Sequence, residues 1–282
     1  MKYAFVVMLC LAFSGCANRM FYYPDRVIRQ TPAARGHRFE AVTFPATDGT
    51  HLTGWWLPAR TDTPKGTVIH FHGNAENIST HVQFAEWLPA AGYHLFVFDY
   101  RGYGRSAGTP TRAGLVRDGI AALQYAAGRP ETQPETLFVW GQSLGGTVAL
   151  QALARTEIPV RAVLIDSTFY SHASIASEKM RELPIYLQWL RLLRPLWVTG
   201  GMDAHQALRD LPPELPIAFL HGEHDRVIPA HHSRELHKIA PNPRHLWIIP
   251  GAGHCDAVLR FPDLVRPKIL TFFAHPDPEA AE

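Results

Sequence analysis

Short, nearly continuous apolar runs punctuate the chain at residues 68–71, 95–98, 137–140, 162–165, 217–220 and 246–249. Unbroken apolarity over so few residues fits parallel strands buried on both faces. Stretches with helical spacing follow them, at 78–91, 114–127 and 143–154 after the earlier runs and at 233–239 and 264–273 after the later ones. Ahead of this series, 38–44 and 52–57 alternate apolar with polar positions around the turn pair Asp48-Gly49, which predicts an opening hairpin. Strand and helix in repeated alternation predict an α/β fold with a mostly parallel central sheet and helices on both faces.

One interval breaks this rhythm. Residues 167–215 span ~50 positions, too long for a structureless loop in a compact domain, and are expected to form a small helical cap. Between 181 and 198 a broad apolar side is interrupted by Arg181, Gln188 and Arg191, which share one face of a helix, so an amphipathic helix is predicted. Its apolar side would roof a cleft, pack on the sheet or meet a bilayer, and the sequence leaves the three open.

The chain begins differently. Lys2 precedes an apolar run over 3–13 of about eleven residues, short of the ~20 that a helix needs to cross a bilayer core, which is a signal-peptide pattern. Phe13, Ser14, Gly15 and Cys16 then set two small residues before a cysteine. This segment resembles the lipobox of bacterial lipoproteins, with Phe13 where that pattern usually has Leu. The resemblance implies that Cys16 is lipidated, becomes the new N-terminus and anchors the chain to a membrane; an ordinary cleavable signal is the alternative. Ala17 in place of Asp implies, by resemblance to Gram-negative lipoproteins, the outer membrane. The expected organisation is a signal peptide at 1–15, a lipidated start and tether at 16–36, an α/β domain at 37–274 carrying the cap, and a flexible Pro- and acid-rich tail at 275–282.

Composition acts mainly by exclusion. With 27 basic and 25 acidic residues among 282, the formal charge of +2 leaves no large single-sign field, so no nucleic-acid partner is expected. Cys10, Cys16 and Cys255 are too few and too scattered for a disulfide framework, and no Cys-x-x-Cys pair suggests structural zinc. Oligomeric state leaves no mark in the sequence.

The candidate chemistry lies at the ends of the apolar runs. The run at 137–140 leads into Gly141-Gln142-Ser143-Leu144-Gly145-Gly146 and then a helical stretch, so a Gly-x-Ser-x-Gly stands in the strand-turn-helix setting of a nucleophile elbow. A serine hydroxyl is a weak nucleophile until a base takes its proton, so a histidine and an acid are required. The run at 217–220 leads to His221-Gly222-Glu223-His224-Asp225, and the run at 246–249 to Pro250-Gly251-Ala252-Gly253-His254. Ser143, Asp225 and His254 are therefore the candidate catalytic residues, with Asp166 and Asp256 as alternative acids. The backbone N–H groups of Asn74 and Leu144 are assigned to an oxyanion hole. His70 and His72 share one strand face, a spacing a metal could use, but no third ligand with recognised spacing accompanies them, and neither a metal nor a cofactor is expected. Gly102-Tyr103-Gly104-Arg105-Ser106-Ala107 mimics a dinucleotide fingerprint, but its acid, Asp99, precedes the glycines, so it is read as a structural loop beside the active site.

Together with Asp48-Gly49, the segments 72–77 (His-Gly-Asn-Ala-Glu-Asn), 99–104 (Asp-Tyr-Arg-Gly-Tyr-Gly) and 141–146, and the acid and base at 225 and 254, resemble the α/β-hydrolase superfamily over nearly all the mature chain. The motif at 72–77, preceded by Tyr22-Tyr23-Pro24, resembles a subgroup that includes protein depalmitoylases and lysophospholipases and is often labelled serine-aminopeptidase-like. The resemblance implies a serine hydrolase cleaving esters or thioesters of a small-molecule or lipid acyl substrate through an acyl-enzyme. A peptidase or amidase of the same fold, and a catalytically silent envelope-binding lipoprotein, are the competing readings.

Overall fold

The computed structural model describes residues 21–187, 189, 201–241 and 244–276. The expected signal peptide, Cys16, the first part of the expected tether, much of the amphipathic stretch over 181–198 and most of the expected tail lie outside the described residues. Among the described residues no helix is long and apolar enough to cross a membrane.

Strands β1 (Glu40–Pro45), β2 (His51–Leu57), β3 (Thr67–Phe71), β4 (His94–Asp99), β5 (Leu137–Gln142), β6 (Ala162–Asp166), β7 (Ile217–Gly222) and β8 (Arg244–Ile249) form one sheet in the order β8-β7-β6-β5-β3-β4-β2-β1. Strand β2 is antiparallel to both its neighbours and all other pairs are parallel. The alternation of side chains along a strand explains why the apolar runs are unbroken. Ile69, Phe71, Val139, Ile165 and Phe219 enter the core on one side of the sheet, while Val68, Trp140, Leu164, Ala218 and Leu220 enter that on the other.

Around the sheet lie α1 (Ile78–His81), α2 (Arg112–Ala127), α3 (Leu144–Leu153), α4 (His172–Arg181), α5 (Ala204–Asp210), α6 (His231–Ile239), α7 (Ala257–Arg260) and α8 (Pro262–Ala274). Leu115 and Leu123 of α2, Val148 of α3, Leu208 of α5 and Leu236 of α6 fill the first core; Ile78 of α1 and Val265, Ile269 and Phe273 of α8 fill the second. The helix predicted over 78–91 is much shorter: after α1 the chain continues as 3-10 turns at Val82–Phe84 and Leu88–Ala91. Ile78, Val82, Ala85 and Leu88 still face the core, but Pro89 has no N–H for the Ala85 carbonyl and disfavours α geometry at Leu88.

Residues 21–36, read from the sequence as part of a tether, pack on the body. Tyr22 is buried, Tyr23–Pro24 pairs in parallel with Ala75–Glu76, and Asn77 Nδ2 donates to the Asp25 and Val27 carbonyls at 3.0 and 2.8 Å.

Asp99, at the end of β4, is buried, and its Oδ1 accepts the Ile78 N–H at 2.9 Å. Burial raises its pKa to about 7 against the opposing backbone hydrogen bonds of Ile78 and Arg105. A carboxyl raised on folding stays protonated in the folded chain where the unfolded chain is already ionised. The contribution of Asp99 to stability therefore falls as pH rises from the ordinary carboxylate range to about 7 and then levels. Asp99→Asn removes this titration, so its thermal midpoint is expected to gain on the wild type between pH 5 and pH 8; a constant difference between the two midpoints would count against the assignment.

Candidate active site

Strand β5 ends at Gln142 and α3 begins at Leu144, leaving Ser143 on the turn with φ 53° and ψ −120°, a conformation a non-glycine residue rarely takes. Backbone bonds hold it there: Ser143 N–H donates to the Asp166 carbonyl at 2.8 Å, and Thr168 Oγ1 donates to the Ser143 carbonyl at 2.6 Å. The flanking glycines permit the close approach, since a β-carbon on Gly141 would lie 2.6 Å from Gly146 Cα and one on Gly145 would strike the Phe71 carbonyl oxygen.

The structure brings Ser143, His254 and Asp225 together. Ser143 Oγ lies 3.0 Å from His254 Nε2, and His254 Nδ1 lies 2.7 Å from Asp225 Oδ2. The carboxylate accepts at Nδ1, so the ring proton belongs there, and the Nε2 lone pair faces the hydroxyl. Asp225 Oδ1 also accepts the N–H groups of Val227 and Ile228, each at 2.8 Å. Burial alone would raise the Asp225 pKa, but hydrogen bonds from His221 and His254 outweigh it and hold the carboxyl well below its ordinary value. The alternative acids are engaged elsewhere. Asp166 accepts from Gln142 Nε2 and Ser167 Oγ, both at 2.9 Å, and Asp256 accepts from the Gly253 N–H at 2.7 Å.

His221 is a residue that the sequence reading passed over. Its Nε2 lies 2.8 Å from the Ile228 carbonyl and 3.2 Å from Asp225 Oδ2, and its Nδ1 lies 2.7 Å from Ser233 Oγ. Two acceptors at Nε2 require the proton there, so the ring is a second N–H donor to the oxygen that His254 uses.

The loop after β3 places Gly73 and Asn74 across from Ser143. The N–H groups of Asn74 and Leu144 have no hydrogen-bond partner among the described residues, and both residues line the cavity that holds Ser143. Asn74 is pinned on several sides: Tyr103 OH donates to its carbonyl at 2.8 Å and its Oδ1 at 3.0 Å, and its Nδ2 donates to the Phe21 carbonyl at 2.5 Å. The glycine-rich loop at 102–107 thus supports the site through Tyr103.

The cavity measures about 530 Å³. Phe21, Phe84, Phe169, Ile175, Val227 and Ile228 make it largely apolar, Lys179 stands at its wall, and its described lining contains no carboxylate. Ile175 and Lys179 come from α4, so part of the expected cap borders the cavity, whereas α5 packs into the core below. Cys255 also lines it, buried, with its thiol pKa pushed up by burial.

His70 and His72 each have one ring nitrogen bonded within the protein. His70 Nε2 bonds Gln142 Oε1 at 2.9 Å and His72 Nδ1 bonds the Gly73 carbonyl at 2.7 Å. Glu178 with His231 and His232 is a three-donor group that could suit a cation. Yet His232 Nδ1 accepts the Tyr170 N–H at 3.2 Å, which puts the proton on Nε2, facing Glu178 rather than a metal.

Comparison with known proteins agrees with this architecture. The sequence profile described as serine aminopeptidase, S33, matches residues 62–212. The chain is 36% identical over 284 residues to the uncharacterized protein YfhR of Salmonella typhi, covering 95% of this chain and 92% of that one. It is 28% identical over 266 residues to the alpha/beta hydrolase domain-containing protein WAV2 of Arabidopsis thaliana, covering 88% and 83%. Among solved structures, an esterase of Pyrococcus furiosus superposes with a TM-score of 0.72 at 20% identity, covering 90% of this chain and 97% of that one, a likeness of fold. The parallel sheet, the strained turn after β5 and the matched profile together place the chain in the α/β-hydrolase superfamily, within the hydrolase family described as serine aminopeptidase, S33.

Proposed function

We propose that the chain is a serine hydrolase that cleaves carboxylic esters or thioesters of apolar acyl groups through an acyl-enzyme, and that it works at the cell envelope, anchored through a lipidated Cys16. The observation that carries the chemistry is the relay of 3.0 and 2.7 Å from Ser143 through His254 to Asp225 at the wall of an apolar cavity. Ser143 Oγ attacks the acyl carbon as its proton passes to His254 Nε2. The new imidazolium is stabilised by Asp225, and the oxyanion is met by the N–H groups of Asn74 and Leu144. His254 then gives the proton to the leaving oxygen or sulfur, and a water activated by the same imidazole releases the acid. No cofactor enters these steps.

A peptidase reading gains no support from the described lining, which offers no carboxylate to pair with a substrate ammonium. A panel of esters, thioesters and amides with graded acyl chains tests the proposal. Apolar esters or thioesters should be turned over best, and preferential cleavage of peptides with a free N-terminus would overturn it. Metabolic labelling with an alkyne fatty acid tests the anchor, since the label should disappear in Cys16→Ser.

The geometry also assigns His221 a positioning role, as a donor that keeps Asp225 aimed at His254 and reduces the charge it offers that ring. His221→Phe leaves Asp225 Oδ2 with one side-chain donor instead of two, so the acid limb of the kcat/KM profile is expected to move to higher pH. A uniform loss of activity at every pH would indicate a merely structural residue.

A further inference from the structure

We propose that the mouth of the cavity docks on a lipid bilayer and that the substrate is an acyl ester resident in that bilayer. This rests on the proposed hydrolase and on the proposed anchor, and it adds an orientation that neither contains.

Phe21 lines the cavity, and Cys16 precedes it by only a short stretch of chain. An extended chain covers at most ~3.6 Å per residue, so an anchored residue 16 can lie no more than roughly 18 Å from Phe21. A tether this short would still allow any orientation if residues 21–30 hung free, but they are fastened. The Asp25 N–H donates to the Glu76 carbonyl at 3.2 Å, the Gly104 N–H to the Asp25 carbonyl at 2.9 Å, and the Arg29 N–H to Ser79 Oγ at 3.1 Å. Asn74 Nδ2 closes the series on the Phe21 carbonyl. The point where the chain leaves the body toward its anchor is thus part of the cavity wall.

The rim has the chemistry for that surface. Tyr23 and Val227 come from different elements, both line the cavity, and they are 59% and 50% exposed. Large apolar side chains exposed to water at the open edge of a cleft carry an unfavourable hydration cost that is relieved in the boundary between headgroups and acyl chains. A tyrosine, apolar in body and polar at its tip, suits that boundary. An acyl ester already in the bilayer would then enter an apolar cavity of about 530 Å³ without crossing water.

The test uses the full chain with its own N-terminus, recovered from membranes and reconstituted into phosphatidylcholine–phosphatidylglycerol vesicles. An environment-sensitive dye is attached through Val227→Cys or, as control, through Thr61→Cys, which is exposed in the loop leading into the start of β3, at the opposite end of the strands from Ser143. Nitroxide-bearing lipid should quench the dye at 227 and leave that at 61 bright. In parallel, a 30-residue Gly/Ser insertion after Arg19 should lower turnover of a long-chain fluorogenic ester embedded in the vesicles on the order of tenfold by diluting the site away from the surface. Its kcat/KM for a soluble short-chain ester should stay unchanged. Equal quenching at the two positions, indifference of the embedded ester to the insertion, or failure of the chain to stay with the vesicles would each overturn the proposal. Contrasting quenching in a chain that hydrolyses neither ester would uphold the docking and remove the hydrolase instead, so the two failures are distinguishable.

Discussion

Ser143→Ala is expected to lower ester turnover on the order of 10⁶-fold, by the precedent of serine-protease triads, and to abolish labelling by a fluorophosphonate. The loss is chemical rather than structural. Both bonds that fix the turn, from the Ser143 N–H to Asp166 and from Thr168 Oγ1 to the Ser143 carbonyl, belong to the backbone of residue 143 and survive the substitution. The unfolding midpoint should therefore stay close to that of the wild type while the nucleophilic oxygen is gone. The donors at Asn74 and Leu144 remain, so a small residual rate above the uncatalysed reaction is expected. Undiminished labelling of the alanine variant would remove Ser143 from the mechanism.

Asp225→Asn should cost about 10⁴-fold in kcat, the loss seen when a triad acid becomes an amide and the imidazole turns to the wrong tautomer. Here the substitution is more hostile than usual. Oδ1 accepts two backbone N–H groups and Oδ2 faces two ring N–H groups, so all four neighbours are donors. Either orientation of an amide sets an NH2 group against two of them. A drop in stability should accompany the drop in rate, and circular dichroism melts beside steady-state kinetics would show both. Asp166→Asn is the control, because Asp166 is bonded to Gln142 and Ser167 and not to His254. If that variant loses as much turnover while Asp225→Asn keeps wild-type rates, the acid has been assigned to the wrong carboxylate.

What could be read in advance was what local sequence controls. A strand buried on both faces is apolar at nearly every position, so β3 to β7 were legible as nearly continuous runs; the edge strand β8 carries the same kind of run although only its Ile249 is fully buried. The turn at Ser143 was legible because its glycines are needed for contacts with segments immediately around it and with the β3 terminus. Asp225 and His254 were legible because each follows a strand end, where chain order already narrows the choice. The rest depended on partners far away along the chain. Nothing near Tyr23 indicates that it pairs with Ala75, nothing near Tyr103 that its hydroxyl holds Asn74, and nothing near His221 that its Nδ1 meets Ser233 Oγ. The helix expected over 78–91 shows the opposite limit. Its apolar spacing was right for burial, but the segment breaks into 3-10 turns after His81, and Pro89 in the second of them bars a return to α geometry there.

Cys255 is the single cysteine of the stretch 21–276, and it lies buried against the Ser167 side chain. Nothing in that body waits for oxidation to complete it, so its final shape is indifferent to the redox poise of the compartment in which it is made. Made under reducing or under oxidising conditions, that body should be the same folded object.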